Sequence, residues 1–170
     1  MQFRKAVIQD VDGIWEIEQS VFSSPWSRKQ LAHELVAKPI ASHWVLDDGS
    51  SIIGFIMSHV VQSEVQIINI AIKLSHQCRG YGKRVLSEFL SQFNEKMYLF
   101  LEVRESNQPA YYLYSHFGFE QVDIRKKYYY DGEDAIVMAK MGNKIPTLLN
   151  LEKKKNESLT WLGFAEKNRI

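Results

Sequence analysis

The 170-residue chain has a single cysteine, Cys78, which excludes an internal disulfide and leaves too few thiols for a structural zinc site. A thiol without a partner fits a reducing compartment. Proline and glycine number only 4 and 9, while 45% of residues are hydrophobic, so the chain is neither collagen-like nor disordered. An excess of one charge is also missing. Lys plus Arg number 21 and Asp plus Glu 20, a net charge of +1 that argues against a direct nucleic-acid partner. No long hydrophobic run occurs. The stretch from Ile52 to Val61 contains Gly54, Ser58 and His59 and falls far short of the roughly 20 residues of a membrane span. Met1-Gln2-Phe3-Arg4-Lys5 leads into an amphipathic pattern rather than the apolar core of an export signal. A cytoplasmic protein with no membrane partner, a monomer or weak dimer, is expected.

What is present reads as an alternation of strands and helices. Phe3 to Ile8 is a first strand, and Asp10 is placed to cap a helix carrying Val11, Ile14, Trp15, Ile17 and Val21. Ser23-Ser24-Pro25-Trp26 interrupts it. Ser27 with Gln30 forms a capping box opening a second helix to about Ala37. Strands follow over His43 to Leu46, Ser51 to Val61 and Glu64 to Ile72. A helix with Val85, Leu86, Phe89, Leu90 and Phe93 on one face runs to about Glu95. Then come a strand from Tyr98 to Val103, a helix from Ala110 to Phe117 closed by Gly118, and strands over Glu120 to Arg125 and Ala135 to Met141. This order predicts an α/β fold with a mixed central sheet of about seven strands and helices on both faces.

Residues 142–170 have a different composition. They carry a net charge of +3 against −2 for residues 1–141, yet include Leu148, Leu149, Leu151, Leu159, Trp161, Leu162 and Phe164. A main domain over 1–141 and a C-terminal extension that packs on it or on a neighbour are expected.

The first chemical signal is Gln77-Cys78-Arg79-Gly80-Tyr81-Gly82-Lys83, between a strand and a helix. Glycines there allow a tight turn and close approach of a ligand to the backbone, whose N–H groups would converge on a phosphate beside Arg79 and Lys83. The heptapeptide alone is equally compatible with a plain connecting loop. Its spacing is neither that of a Walker loop nor that of a dinucleotide fingerprint.

The surroundings narrow the choice. Gln77-x-x-Gly80-x-Gly82, followed by Ser106-Asn107-x-x-Ala110-x-x-Leu113-Tyr114-x-x-x-Gly118-Phe119, resembles the two signature motifs of the GNAT superfamily of acyl-CoA-dependent N-acetyltransferases. Ser24-Pro25-Trp26-Ser27, Asn69-Ile70-Ala71, Leu101-Glu102-Val103-Arg104, Arg125-x-x-Tyr128-Tyr129 and Glu133-Asp134-Ala135 are similar to the RimI family within it. That family acetylates the N-terminal alanine of small-subunit ribosomal protein eighteen. The resemblance covers residues 3 to 141. Ser24 stands where the family often has Phe, and Lys73-Leu74 where it often has Asp-Pro.

The resemblance implies a GNAT fold in which two central strands splay apart, with acetyl-CoA as cosubstrate. Backbone groups of Ile70, Ala71 and Ile72 would pair with the pantetheine, Cys78, Arg79, Gly80, Tyr81, Gly82 and Lys83 would hold the pyrophosphate, and Asn107 would bind the cofactor through its amide. Glu102 is implied as general base and Tyr114 as the acid that protonates the departing thiolate. Trp26, Tyr128 and Tyr129 would line the groove for a ribosomal-protein N-terminus. Each position also has a plainer reading: Asn107 an Asx turn before Pro109, Glu102 a salt bridge to Arg104 on the same strand face, Tyr114 a core aromatic beside Tyr111, Tyr112 and Phe117. No metal is expected, since His33, His43, His59, His76 and His116 show no paired ligand spacing.

The acceptor chemistry favours a chain end. Deprotonating an α-amine at pH 7 costs about 1 kcal/mol, against roughly 4 to 5 for a lysine amine. An acetyltransferase for a polyamine, amino acid or antibiotic, and a catalytically silent acyl-CoA-binding partner protein, are the alternatives.

Overall fold

The chain begins as strand β1 (Gln2–Lys5), shorter than the expected run to Ile8. The carboxylate of Asp10 explains the early stop. It accepts from the backbone N–H of Val7 and from both terminal nitrogens of Arg4, each at 2.8 Å, and so curls residues 8–10 into a 3-10 turn. Asp10 therefore anchors Arg4 instead of donating its side chain to a cap of helix α1 (Val11–Val21). In this computed structural model the structure describes residues 1–37 and 39–141. The C-terminal extension from residue 142, with its apolar side chains, lies outside the described residues.

Helix α2 (Arg28–Ala37) starts where the capping box predicts. Ser27 N–H donates to Gln30 Oε1 at 2.9 Å, and Gln30 N–H donates to Ser27 Oγ at 3.3 Å. Strands β2 (Trp44–Asp47), β3 (Ile52–Val61) and β4 (Glu64–Ile72) form an antiparallel meander. Helix α3 (Tyr81–Leu90) ends five residues before the expected Glu95. Ser91 Oγ and Gln92 Nε2 both donate to the carbonyl of Glu88, at 2.7 and 3.1 Å, and close the helix there. Strand β5 (Tyr98–Arg104), helix α4 (Gln108–His116) and strands β6 (Glu120–Arg125) and β7 (Ala135–Met141) complete the described residues.

The seven strands form one sheet in the order β1-β2-β3-β4-β5-β7-β6. Every neighbouring pair is antiparallel except β4 with β5. Alternate residues of β3 feed two cores. Phe55 and Met57 join Ile14 and Ile17 of α1 and Leu31 of α2. Ile56 joins Val85, Leu86 and Phe89 of α3 and Tyr114 of α4. The helices thus cover opposite faces, α1 and α2 on one, α3 and α4 on the other.

Two irregularities at the sheet centre create the site. In the β3–β4 ladder Met57 pairs with Asn69 but Ser58 with Ile67, so Ile68 is an extra residue and β4 bulges. The parallel β4–β5 ladder runs from Glu64–Tyr98 only as far as Ile67–Leu101. Beyond that point β4 continues to Ile72 bonded to β3, and β5 continues to Arg104 bonded to β7. Among the described residues no backbone pair bridges the two strands past Ile67 and Leu101. A bulge adds local twist, and here it turns one strand away from its neighbour.

Candidate active site

The open edge of β4 carries Ile70, Ala71 and Ile72 on the side facing the splay. Directly after it, a short 3-10 turn (Leu74–His76) leads into Gln77, whose Nε2 donates to the carbonyl of Ile72 at 3.0 Å and ties the turn to the strand end. Cys78 and Gly80 then adopt left-handed φ of 57° and 84°. Gly80 precedes α3 with no side-chain cap. The helical ladder begins with Arg84 N–H, which donates to Gly80 O at 3.0 Å, so the N–H groups of Tyr81, Gly82 and Lys83 lie at the helix start. These are the N–H groups that a helix start leaves without intrahelical partners, and they sit at the positive end of the helix dipole.

A Cβ at Gly80 would meet nothing within 4 Å, and at Gly82 only Leu113 Cδ2 at 3.5 Å. The fold itself does not need the space above these glycines. A backbone cradle with exposed Arg79 and Lys83 beside it fits a pyrophosphate.

Glu102 is the first residue of β5 past the end of the β4–β5 ladder. Leu101 and Val103 face the α3–α4 core, so alternation turns Glu102 to the α1–α2 face. Its side chain is only 6% exposed, and Arg125 Nη1 lies 3.4 Å from Oε1. The pairing with Arg104 that the sequence allowed does not form. Arg104 instead reaches Asp131 at 2.7 Å and Glu133 at 2.6 Å, because its strand end meets the β6–β7 connection.

That connection holds the tyrosines. Arg104 lies over the Tyr129 ring at 3.9 Å, Arg125 over Tyr128 at 5.3 Å, and the two rings meet edge-on at 5.2 Å. Glu133 Oε1 also accepts from Ser106 N–H at 2.8 Å, which fixes the loop after β5 to the same connection. Hydrogen bonds from Ser106 and Arg104 hold the Glu133 carboxyl down at about 2. Tyr128 and Tyr129 are half-buried, whereas Tyr130 is fully exposed and stands apart from the wall they form.

Tyr114 belongs to the α3–α4 core, 6% exposed and edge-on to Phe119 at 6.0 Å. Burial, with a smaller contribution from Tyr129, pushes its phenol well above the ordinary value, so it keeps its proton at neutral pH. The plainer reading of Tyr114, a core aromatic, describes its packing. Asn107 turns out to be the N-cap of α4. Its Oδ1 accepts from Ala110 N–H at 3.2 Å, leaving Nδ2 as the group for a ligand.

The opposite wall comes from the loop between α1 and α2. Trp26 is half-buried against the α1–α2 core. Its backbone N–H donates at 3.0 Å to Glu18 Oε2, and Asn69 Nδ2 donates at 2.8 Å to Glu18 Oε1. Glu18 is not singled out by sequence reasoning, and Arg125 appears there in a motif without a role. For Glu18 a signal existed: it lies four residues after Ile14 and three before Val21, a carboxylate on the apolar stripe of α1.

The fold also gathers histidines that look scattered in sequence. Glu34, His43 and His59 bring ligand-type atoms within 4.8 Å of one another. Nδ1 of His43 accepts from Ser58 N–H at 3.1 Å, which in the neutral ring puts the proton on Nε2, the atom 3.8 Å from Glu34. A protonated Nε2 is a donor and not a metal ligand. His59 pairs with the same carboxylate, and the group ties α2 to β2 and β3. No helix among the described residues is long and apolar enough to cross a membrane.

The chain that carries these features is similar to known proteins. Residues 11–119 match the acetyltransferase (GNAT) family. The chain belongs to that family. A [ribosomal protein bS18]-alanine N-acetyltransferase of Haemophilus influenzae is 39% identical over 136 residues, spanning 76% of this chain and 91% of its relative. The crystal structure of the ribosomal-protein-S18-alanine N-acetyltransferase of Escherichia coli superposes with a TM-score of 0.77 at 30% identity, covering 85% of this chain and 96% of that one. An Arabidopsis thaliana NAA60 structure in complex with acetyl-CoA shares the fold at 19% identity, with a TM-score of 0.72 over 84% of this chain and 99% of that one. This chain is thus a GNAT acetyltransferase of the RimI type, with the seven-strand open sheet that its sequence predicts.

Proposed function

We propose that this GNAT protein transfers the acetyl group of acetyl-CoA to the α-amine of a protein N-terminus, the N-terminal alanine of ribosomal protein bS18 being the acceptor. The observation that carries this reading is the end of the β4–β5 ladder at Ile67–Leu101, with Glu102 buried one residue beyond it. The exposed edge of Ile70, Ala71 and Ile72 offers backbone groups to the pantetheine amides as an added strand would. The N–H groups from Cys78 to Lys83, with Arg79 and Lys83, take the pyrophosphate, and Asn107 Nδ2 serves as a further donor. These residues bring the thioester to the splay from the α3–α4 side.

The acceptor enters from the other face, between Trp26 and the pair Tyr128 and Tyr129. Glu102 takes the proton from the α-ammonium, directly or through one water, and the free amine attacks the thioester carbonyl. The thiolate of CoA leaves and receives the phenolic proton of Tyr114. An α-amine suits a single carboxylate base because its proton is several kcal/mol cheaper to remove than a lysine's, by about 3 kcal/mol at neutral pH. A ribosomal-protein acceptor places the reaction in the cytoplasm.

Labelled acetyl-CoA tests the reading against three acceptors: a peptide with the N-terminal sequence of bS18 and a free alanine, the same peptide with its α-amine blocked and its lysines free, and spermidine. Label entering the free-alanine peptide alone is the expected result. Preferential labelling of lysines or spermidine would overturn the acceptor assignment.

A further inference from the structure

Glu18 is 1% exposed, yet among the described residues no cation reaches it. The other buried carboxylates have basic partners: Asp10 has Arg4, and Glu34 has His59. Glu18 accepts only from two neutral donors, the backbone N–H of Trp26 at 3.0 Å and Nδ2 of Asn69 at 2.8 Å. An uncompensated buried carboxylate is expensive, and an apolar residue on the stripe of α1 would pack more cheaply.

The identity of the donors gives the carboxylate its meaning. Trp26 is the acceptor-side wall, carried on a loop between two helices that has little regular bonding of its own. Asn69 follows the extra residue Ile68 of the β4 bulge. Because of that bulge, Ile68 and Asn69 both reach the α1–α2 face, Ile68 into the core and Asn69 to Glu18. The next residues of β4 form the open edge of the splay. Glu18 is therefore the link between the loop that walls the acceptor groove and the strand that borders the thioester.

We propose that Glu18 is a positioning residue for the acceptor, holding Trp26 and the loop from Ser23 to Ser27 at a fixed distance from the mouth of the splay so that an incoming chain end is aimed at Glu102. The inference rests on the acetyl transfer proposed above. Glu18 touches neither substrate nor cofactor. Burial pushes its carboxyl up to about 7, and the two donated bonds pull the other way, in keeping with a group held for its acceptor geometry.

The test uses the full chain with labelled acetyl-CoA and the free-alanine peptide. Glu18→Ala removes both acceptors, and the peptide KM should rise roughly tenfold to a hundredfold, the range for losing charge-assisted hydrogen bonds. Acetyl-CoA affinity by calorimetry should stay within about twofold, and kcat at saturating peptide should fall far less than KM rises. Glu18→Gln should restore the peptide KM to within a few-fold. Its Oε1 keeps the Trp26 N–H, and its amide can donate to Asn69 once that side chain turns over. Asn69→Ala removes one donor and leaves α1 intact, so it carries the test if Glu18→Ala does not fold; its peptide KM should rise by several-fold with acetyl-CoA affinity unchanged.

An unchanged peptide KM in both Glu18→Ala and Asn69→Ala would overturn the proposal. So would a Glu18→Gln variant as impaired in turnover as Glu18→Ala, since that would mark Glu18 as a proton carrier. A wild-type protein silent toward the peptide would overturn the function itself and this inference with it, whereas an active wild type with an indifferent Glu18→Ala overturns the inference alone.

Discussion

The two sides of the splay are built from different materials. On the side proposed for the cofactor, the β4 edge and the turn into α3 offer backbone groups: those of the strand beyond Ile67, and those of the turn and first helical residues from Cys78 to Lys83. On the side proposed for the acceptor, side chains from four distant segments form two groups, Glu18 and Trp26 near the N-terminus with Asn69 in β4, and Glu102 in β5 with Arg125 and Tyr128 around β6. A ligand common to a whole superfamily can be held by backbone, which any sequence supplies provided glycines keep the approach open. An acceptor that differs between enzymes needs side chains, which can be exchanged without disturbing the sheet.

The largest effect should come from breaking the backbone side at its narrowest point. Gly82→Val places a branched side chain beside the helix start, its Cβ meeting only Leu113 in the fold. The protein should remain folded by circular dichroism and lose acetyl-CoA binding by a thousandfold or more, an order-of-magnitude expectation for blocking a backbone anion site. Calorimetry checks it, and unchanged affinity would show that the turn does not hold the pyrophosphate. Gly80→Val is the poorer probe, because φ of 84° there adds strain whatever the ligand does.

Next in size is the side-chain half at its chemical centre. Glu102→Gln keeps the shape of the side chain beside Arg125 and removes the base. Turnover at saturating substrates should fall by roughly a hundredfold or more, with acetyl-CoA affinity nearly intact. Retained turnover would reassign the proton acceptor.

Tyr114→Phe sharpens the comparison, since this side chain lies in the core of the cofactor side yet is assigned to chemistry. Loss of the hydroxyl should lower kcat by roughly tenfold to a hundredfold, the lower range for general acid assistance. The fold should be preserved, because the ring still fills its place against Phe119. If the pH–rate profile and kcat were both unmoved, Tyr114 would be a packing residue alone.

The same contrast explains what could be read from the sequence. The eleven strands and α-helices of the described residues lie in the expected order, because each is specified locally by periodicity, capping and turn residues; Ser27 with Gln30 and Gly118 are examples. The glycine turn before α3 was legible for the same reason, its residues being contiguous. Boundaries failed where a side chain competed with regular structure: Asp10 shortened β1, and Ser91 and Gln92 shortened α3. Asn107 and Glu102 show the other limit. Both stand out in the sequence as candidates, but the cap bond to Ala110 and the Arg125 partner depend on geometry that no spacing encodes. The cluster of Glu34, His43 and His59 looked scattered for the same reason, as did the joining of Glu18 to Asn69 across 51 positions.

The smallest expected effect concerns stability and separates the two halves by pH. Burial raises Glu18 from an ordinary 4.5 to about 7. A carboxyl whose folded value is raised binds its proton more tightly in the folded state. Its contribution is therefore fully present below about 4.5 and is lost as pH rises through about 7. Between pH 6 and 8 that loss amounts to about 1 kcal/mol, the tail of a shift worth roughly 3 kcal/mol in all. Glu18→Gln carries no such titration. Urea unfolding at pH 6 and pH 8 should show wild type losing about 1 kcal/mol more than the variant, since other titrating groups are common to both and cancel in the comparison. Equal losses would mean that the Trp26 and Asn69 hydrogen bonds already offset burial in full, and that Glu18 stays ionised under the acceptor wall throughout this range.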